Sequence, residues 1–203
     1  MQGPAVAFPA TGQSLQGRFL EYWRGNGGLA VFGYPITAQS GAPLAQAFER
    51  ARFEYHPENQ APYDVLLGRL GVEALQAQGR DWQAFPNVAS APAPSTHSTS
   101  SGQAGSGQGG CRYFAETKHS LCGAFAAYWQ SHGLEFDGRR GTTFNESLAL
   151  FGMPLSEPQQ EMIEGQTVLV QWFERGRFEY HPENQAPYDV LLGRLGSALG
   201  GNH

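Results

Sequence analysis

One block of 24 residues occurs twice in this chain, and the duplication constrains the fold more than any other feature. The first block covers residues 48–71 and the second covers residues 173–196. They differ only in that Ala51 of the first block corresponds to Gly176 of the second. Self-similarity of this kind indicates a supersecondary unit that the chain builds more than once. We therefore expect two modules with the same order of elements.

The similarity between the copies continues upstream in a looser form. Residues 14–23 match residues 120–129, and the run beginning at Leu29 matches the run beginning at Leu148. The second copy also carries an insertion, residues 135–145. The matching segments define the order of elements in each module.

The first element of each module is predicted to be a helix. In the first copy Ser14 is a plausible N-cap, and an apolar face follows at helical spacing through Phe19, Tyr22 and Trp23. Gly17 lies inside this predicted helix and indicates close backbone packing, as Gly123 does in the second copy. The later Gly-Tyr-Pro and Gly-Met-Pro sequences predict a buried turn.

The repeated block is predicted to form most of an antiparallel sheet. In the second copy we expect strands over residues 166–173, 177–181 and 188–192, with tight turns between them. The fold class is therefore α+β, with each repeat a helix packed on a three-stranded antiparallel meander. The same order is expected in the first copy.

Composition divides the chain into three parts. Residues 1–88 form the first repeat module with a short helical extension, and residues 111–203 form the second module. Residues 89–110 are rich in Ser, Gly, Pro and Thr and offer little apolar surface, so they are predicted to be a flexible linker. Within the extension, residues 72–86 are expected to bury an amphipathic face against one of the modules.

Charge and motifs narrow the range of functions. The formal net charge of -5 disfavours a nucleic-acid partner, and no apolar run is long enough to cross a bilayer. A Gly-rich phosphate loop, a GxSxG elbow and an HExxH motif are all missing from the sequence. We therefore expect neither a cofactor nor a metal.

The two cysteines, Cys111 and Cys122, stand at the entrance to the second copy. Their spacing predicts a disulfide that closes a short loop and stabilises the fold by about 2 to 3 kcal/mol. A disulfide implies an oxidising compartment, so the protein is predicted to be extracellular or on the cell surface. A pair of free thiols is the alternative. The chain does not begin with a secretory signal sequence.

Three short patterns give a resemblance to a known family. Each copy has Leu-x-x-Phe-Gly-x-Pro; the second has Phe-Glu-x-Gly-x-Phe-x-Tyr-x-Pro, and both end in Leu-Gly-x-Leu-Gly. The sequence resembles the LGFP-type repeat of bacterial surface proteins, and more closely the tandem modules of secreted proteins from Chloroflexota-type bacteria. Such modules are sometimes appended to hydrolases or peptidases. The resemblance implies an accessory role in attachment to cell-wall polysaccharide or peptidoglycan.

The Glu-Tyr-His-Pro-Glu-Asn sequence occurs in both blocks and supplies most candidate site residues. Two carboxylates and an imidazole at a strand end can bind a ligand, but a proline-rigidified structural turn explains the same residues. Aromatic side chains can stack on sugar rings, or pack in the core of so small a module. The candidate ligand-binding residues are Trp23, Tyr55, His56, Glu58, Asn59, Trp129, Tyr180, His181, Glu183 and Asn184.

These observations predict a non-catalytic, extracellular tandem binding module that attaches to polysaccharide or peptidoglycan. The first alternative is a protein-interaction module accessory to a secreted hydrolase or peptidase. The second alternative is a small hydrolase that uses Glu54, His56 and Glu58, or the corresponding residues of the second copy.

Overall fold

A computed structural model describes residues 4–87 and 110–200. The described residues form six α-helices and several small antiparallel sheets, so the expected mixture of helices and antiparallel sheet is confirmed. Among these residues, no helix has the length and apolar character needed to cross a membrane. The predicted linker lies outside the described residues, except for Gly110.

The helices and strands of the first copy precede residue 88. They are β1 (Val6–Phe8), β2 (Gln13–Leu15), α1 (Gly17–Gly25), α2 (Gly28–Phe32), β3 (Ala45–Ala47), β4 (Arg52–Tyr55), β5 (Val65–Leu67) and α3 (Leu70–Ala77). A single 3-10 turn, Trp82–Ala84, follows α3.

The elements of the second copy follow residue 110. They are β6 (Arg112–Phe114), β7 (His119–Leu121), α4 (Gly123–Ser131), α5 (Phe144–Phe151), β8 (Gln159–Ile163), β9 (Gln166–Trp172), β10 (Arg177–Tyr180), β11 (Val190–Leu192) and α6 (Leu195–Gly200).

The main sheet differs between the copies. In the first copy β3, β4 and β5 pair in that order, which is the predicted three-stranded meander. In the second copy the order is β11-β10-β9-β8, so the prediction of three strands is wrong there by one strand. The additional strand β8 pairs with β9 along its whole length, and Glu164 and Gly165 make the turn with positive φ values of 50° and 84°.

The first helix of each copy begins later than predicted. Ser14 lies in β2 and does not cap a helix, whereas Gly17 and Gly123 begin α1 and α4 with φ values of +55° and +57°. Apart from the chain neighbours and the helix's own backbone, no atom of the described residues lies within 4 Å of the position that a Cβ would occupy on either glycine. The prediction of close backbone packing is therefore wrong, and the left-handed backbone accounts for both glycines.

The expected buried turns are short helices followed by a glycine. The apolar runs form α2 and α5, and Gly33 and Gly152 follow them with φ values of 76° and 75°. Helix α5 begins with a capping box, in which Thr143 and Glu146 each accept a hydrogen bond from the backbone N–H of the other.

A β-hairpin that the sequence did not predict precedes the first helix in each copy. In the second copy β6 pairs with β7, and the disulfide joins Cys111 to Cys122 beside the pair formed by Arg112 and Leu121. The predicted disulfide is confirmed. It closes the open end of this hairpin.

Each copy surrounds one buried phenylalanine of its central strand with aromatic rings. The centroid of the Phe53 ring lies 4.2 Å from that of Phe48, 4.8 Å from that of Phe32 and 5.0 Å from that of Tyr22. The corresponding rings of the second copy surround Phe178 at 4.1, 4.8 and 5.1 Å. The tyrosine ring and one phenylalanine ring of each set meet the central ring edge-on and the other phenylalanine is tilted, and aromatic contacts of this kind stabilise a small core.

The two copies pack against each other through reciprocal contacts. Arg69 forms an ion pair with Glu174 at 2.8 Å, and Arg194 forms the corresponding pair with Glu49. The contact is therefore made twice by matching residues.

Helix α3 extends this contact onto the second sheet. Apolar residues of α3, among them Leu75, lie in one buried cluster with Val170 and Trp172 of β9. Trp82 and Phe85, which follow α3, pack against the same cluster. The helical extension of the first copy thus covers one face of the sheet of the second.

Candidate functional site

The Glu-Tyr-His-Pro-Glu-Asn sequence forms a loop that is closed by its own hydrogen bonds. The backbone N–H of His56 donates to the carbonyl of Asp64 at 2.8 Å, and that of Asn59 donates to the carbonyl of His56 at 3.0 Å. The side-chain amide of Asn59 donates to the carbonyl of Tyr63 at 3.1 Å. All three bonds recur at the same distances in the second copy. The asparagines therefore maintain the loop.

The histidine of each loop pairs with an exposed glutamate. His56 Nδ1 lies 2.9 Å from Glu58 Oε1, and His181 Nδ1 lies 2.9 Å from Glu183 Oε1. The side chains of Glu58 and Glu183 are 67% and 63% exposed. Hydrogen bonds from its own backbone N–H and then from the histidine lower the pKa of each of these carboxyl groups. Both glutamates are therefore ionised at neutral pH.

The ionised state of the Glu58 carboxyl group bears on the alternative prediction that the loop is the active site of a hydrolase. A general acid needs a carboxyl group whose pKa is raised by burial or by a neighbouring charge. Glu58 has a lowered pKa, and Glu54 binds the guanidinium of Arg52 at 2.6 Å. Glu58 therefore does not have the raised pKa that a general acid needs.

The two candidate tryptophans hold elements of the fold together. Trp23 Nε1 donates to the carbonyl of Gly33 at 3.1 Å, and Trp129 Nε1 donates to that of Gly152 at 3.2 Å. Trp129 is only 1% exposed, and Trp23 packs edge-on against Phe8 at 5.5 Å. Tyr55 and Tyr180 also pack against the core. The structure thus leaves these four aromatics little surface for a ligand.

The most exposed tyrosines of the described residues belong to the same loops; they were predicted as aromatics able to stack on sugar rings but are outside the ten candidate ligand-binding residues. Tyr63 is 54% exposed and Tyr188 is 70% exposed. The predicted strand 188–192 begins at Tyr188, whereas β11 begins at Val190. The Pro-Tyr dipeptide at the end of each loop could have indicated that the tyrosine lies outside the strand, because proline cannot donate the backbone hydrogen bond that strand pairing needs.

Tyr188 lies at the edge of a groove of about 890 Å³, which we call the open groove. Its lining includes Tyr128, His132, Met162, Tyr188 and Leu191, together with Val31 of the first copy. Met162 is 68% exposed and Leu191 is 39% exposed. Large apolar side chains that are exposed together are characteristic of an interaction surface.

A second groove, of about 510 Å³, occupies the matching position beside Tyr63, and we call it the covered groove. Tyr22, Tyr63 and Leu66 line it, and the sequence alignment pairs them with Tyr128, Tyr188 and Leu191 of the open groove. The insertion of the second copy also contributes to it, because the Phe136 ring lies 5.0 Å from the Tyr63 ring. Tyr22 is only 2% exposed there.

Hydrogen bonds fix the backbone of the insertion over the covered groove. The backbone N–H of Glu135 donates to Asn26 Oδ1 at 2.7 Å, and that of Phe136 donates to Glu146 Oε1 at 3.2 Å. Burial raises the pKa of the Glu146 carboxyl, but hydrogen bonds from Thr143 and Phe136 outweigh this effect and leave the pKa below its ordinary value. Leu134, at the start of the segment, is 4% exposed.

Three carboxyl groups, two in the insertion and one directly after it, lie close enough together to suggest a metal site. Oxygens of Glu135, Asp137 and Glu146 lie within 4.8 Å of one another. Each of these residues already accepts a hydrogen bond from a nearby backbone N–H, at 2.7 Å for Glu135 and 2.9 Å for Asp137. These bonds within the insertion account for the cluster.

Comparison with models of known protein families, with curated proteins and with solved structures gave no match to this chain. The resemblance to the LGFP-type repeat therefore stays a prediction.

Proposed function

We propose that this chain is a non-catalytic tandem of two small helix-and-sheet modules that binds an extended polypeptide segment in the open groove. One observation carries the proposal: in the first copy a segment of this same chain, residues 134–136, lies along the matching groove. The side chains of Leu134 and Phe136 line that groove beside Tyr22 and Tyr63. The covered groove thus serves as an internal example of a polypeptide ligand for the open one.

The chemistry of the open groove supports this ligand. Tyr188, Met162 and Leu191 give it exposed apolar surface, and two arginines, Arg50 and Arg194, lie along it. An apolar centre bordered by charged side chains is the usual composition of a protein interface. Both signs of charge border the groove, because Glu164 and Glu179 also line it and Arg194 pairs with Glu49, so the exposed apolar side chains carry the recognition.

The disulfide supports a location outside the reducing cytoplasm, and we therefore place the module on a secreted or surface protein. In that setting its ligand is a segment of the larger protein to which it is attached, or of another envelope protein. The lowered pKa values of the Glu58 and Glu183 carboxyl groups support a binding role over general-acid catalysis.

Attachment to polysaccharide is the second candidate, and the exposure of Tyr188 favours it. A tyrosine ring that is 70% exposed offers a face on which a sugar ring can stack. Arg194 lines the groove with it and can bind hydroxyl groups. The resemblance to the LGFP-type repeat suggests a cell-wall ligand of this kind.

The test uses the peptide N-acetyl-Gly-Leu-Glu-Phe-Asp-Gly-amide, which reproduces residues 133–138. We expect titration of the full chain to move NMR signals of β11 and α4. Substitution Tyr188→Ala should weaken binding about tenfold or more, as loss of a central aromatic does in protein interfaces. The matched control is Tyr63→Ala, which changes the same position of the other loop and should leave the affinity within about twofold.

A second arm tests the polysaccharide candidate with the same proteins. The full chain is incubated with insoluble peptidoglycan, cellulose, chitin and xylan, and the retained fraction is measured. Retention that is lost in Tyr188→Ala, together with no response to the peptide, would assign the open groove to a glycan. A peptide response that the two tyrosine variants weaken equally would contradict a site in the open groove.

A further inference from the structure

The two grooves differ at the residue that meets the backbone of the bound segment. Beside the covered groove this residue is Asn26, whose side-chain oxygen accepts the N–H of Glu135 at 2.7 Å. The other end of the same amide group donates to the carbonyl of Tyr22 at 2.7 Å. Asn26 thus links the helix α1 to the segment that covers the groove.

His132 occupies the corresponding position at the open groove. It follows Tyr128 by four residues, as Asn26 follows Tyr22, and its Nδ1 lies 2.9 Å from the carbonyl oxygen of Tyr128. The imidazole stacks on the Tyr128 ring with the two centroids 4.1 Å apart. His132 therefore repeats the anchoring bond that Asn26 makes and is held in place by the stacking.

The remaining ring nitrogen is available to a ligand. Nδ1 lies 2.9 Å from both the Tyr128 carbonyl oxygen and Ser131 Oγ. The carbonyl oxygen only accepts, and the Ser131 hydroxyl donates to that same carbonyl at 3.0 Å, so the proton is assigned to Nδ1 and Nε2 is an acceptor in the neutral ring. Among the described residues, none forms a hydrogen bond with His132 Nε2. His132 lines the open groove, as Asn26 lies beside the segment over the covered one.

We propose that His132 is a positioning residue of the open groove, which accepts a backbone N–H of the bound polypeptide through Nε2. The inference rests on the proposed function. It specifies that the groove recognises the ligand by a hydrogen bond to its main chain as well as by contacts with its side chains. A peptide amide one residue before the aromatic anchor matches the relation of Glu135 to Phe136.

The experiment combines protein variants with a modified peptide. His132→Leu removes the acceptor and should weaken binding of the peptide N-acetyl-Gly-Leu-Glu-Phe-Asp-Gly-amide by about three- to tenfold, the range for one hydrogen bond. His132→Asn supplies the amide that the first copy uses and should restore the affinity. N-methylation of the glutamate amide of the peptide should weaken binding to the natural chain but have no further effect on His132→Leu.

Each outcome separates this inference from the proposed function. If the natural chain binds the peptide and N-methylation weakens binding equally to the natural chain and to His132→Leu, the positioning role of His132 is overturned and the groove assignment stands. If the natural chain does not bind the peptide at all, both are overturned. Thermal unfolding of the His132 variants, measured alongside, verifies that each remains folded.

Discussion

The backbone of Gly71 lies directly against the carbonyl oxygen of Phe173, so that an added Cβ would stand 1.8 Å from that oxygen. The matching contact is made by Gly196 against the carbonyl oxygen of Phe48, where an added Cβ would stand 1.9 Å away. Backbone N–H groups reinforce both contacts, because Gly71 donates to Glu174 at 3.1 Å and Ser197 donates to Glu49 at 3.2 Å.

Substitution Gly71→Ala should therefore lower the stability of the chain. A methyl group has no room at this point, and overpacking of this kind costs about 1 to 3 kcal/mol. Gly196→Ala should behave in the same way. The control is Gly176→Ala, which makes the two blocks identical and has no atom within 4 Å of the added Cβ. Urea unfolding measures all three variants; equal stability of Gly71→Ala and Gly176→Ala would contradict the contact.

Removal of the disulfide should destabilise the second copy. The bond joins cysteines 11 residues apart, and closure of such a short loop stabilises the folded state by about 2 to 3 kcal/mol. The double variant Cys111→Ser, Cys122→Ser should show a matching fall in the free energy of unfolding. Treatment of the natural chain with a reductant should produce the same fall, and reductant should leave the double variant unchanged.

Arg18 and Asp64 form an ion pair that only the first copy possesses. Arg18 donates two hydrogen bonds to Asp64 at 2.7 and 2.8 Å, and Ala124 stands at the position of Arg18 in the second copy. Asp64→Asn should cost about 1 to 3 kcal/mol, the range for hydrogen bonds to charged groups. The matched control Asp189→Asn should cost less, and an equal loss in both variants would argue against the pair.

The same pair predicts a pH dependence. The hydrogen bonds from Arg18 lower the pKa of the Asp64 carboxyl in the folded chain. Its contribution to stability is therefore fully present above the unfolded pKa of about 3.9 and is lost as the pH falls through the folded pKa. Urea unfolding of the natural chain and Asp64→Asn should converge in free energy as the medium becomes more acidic.

His119 predicts a second pH effect at a higher range. Burial lowers the pKa of this imidazole, against the opposing effect of Glu157. Below the unfolded pKa of about 6.5, the unfolded chain binds a proton that the folded chain does not. The free energy of unfolding therefore decreases as the pH is lowered from this value to the folded pKa, by at most about 1.4 kcal/mol per pH unit. His119→Gln installs the residue of the first copy, Gln13, and should remove this part of the slope.

The sequence predicted the parts of the fold that local patterns determine. The expected strands 166–173, 177–181 and 188–192 correspond to β9, β10 and β11, with the last strand shorter at its start. The strand β8 was missed because its sequence, Gln-Gln-Glu-Met-Ile, is mostly polar and pairs only along the edge of the sheet. Local propensity carries little information about such an edge strand.

The candidate site was less accessible to sequence reasoning. The loop containing His56 was located correctly as a repeated turn, but the surfaces beside Tyr63 and Tyr188 depend on residues from both copies. Contacts such as that between Tyr63 and Phe136 join positions that are far apart in the chain, and no spacing rule predicts them. The insertion could be recognised, but its place over the first copy required the structure.

The reciprocal ion pairs of Arg69 with Glu174 and of Arg194 with Glu49 join halves that belong to one polypeptide. Two separate chains carrying the same surfaces would come apart on dilution, whereas covalently linked halves meet at an effective concentration that dilution does not change. The covalent linkage of the two copies therefore keeps the open groove assembled at any protein concentration, because its lining includes Val31 of the first copy.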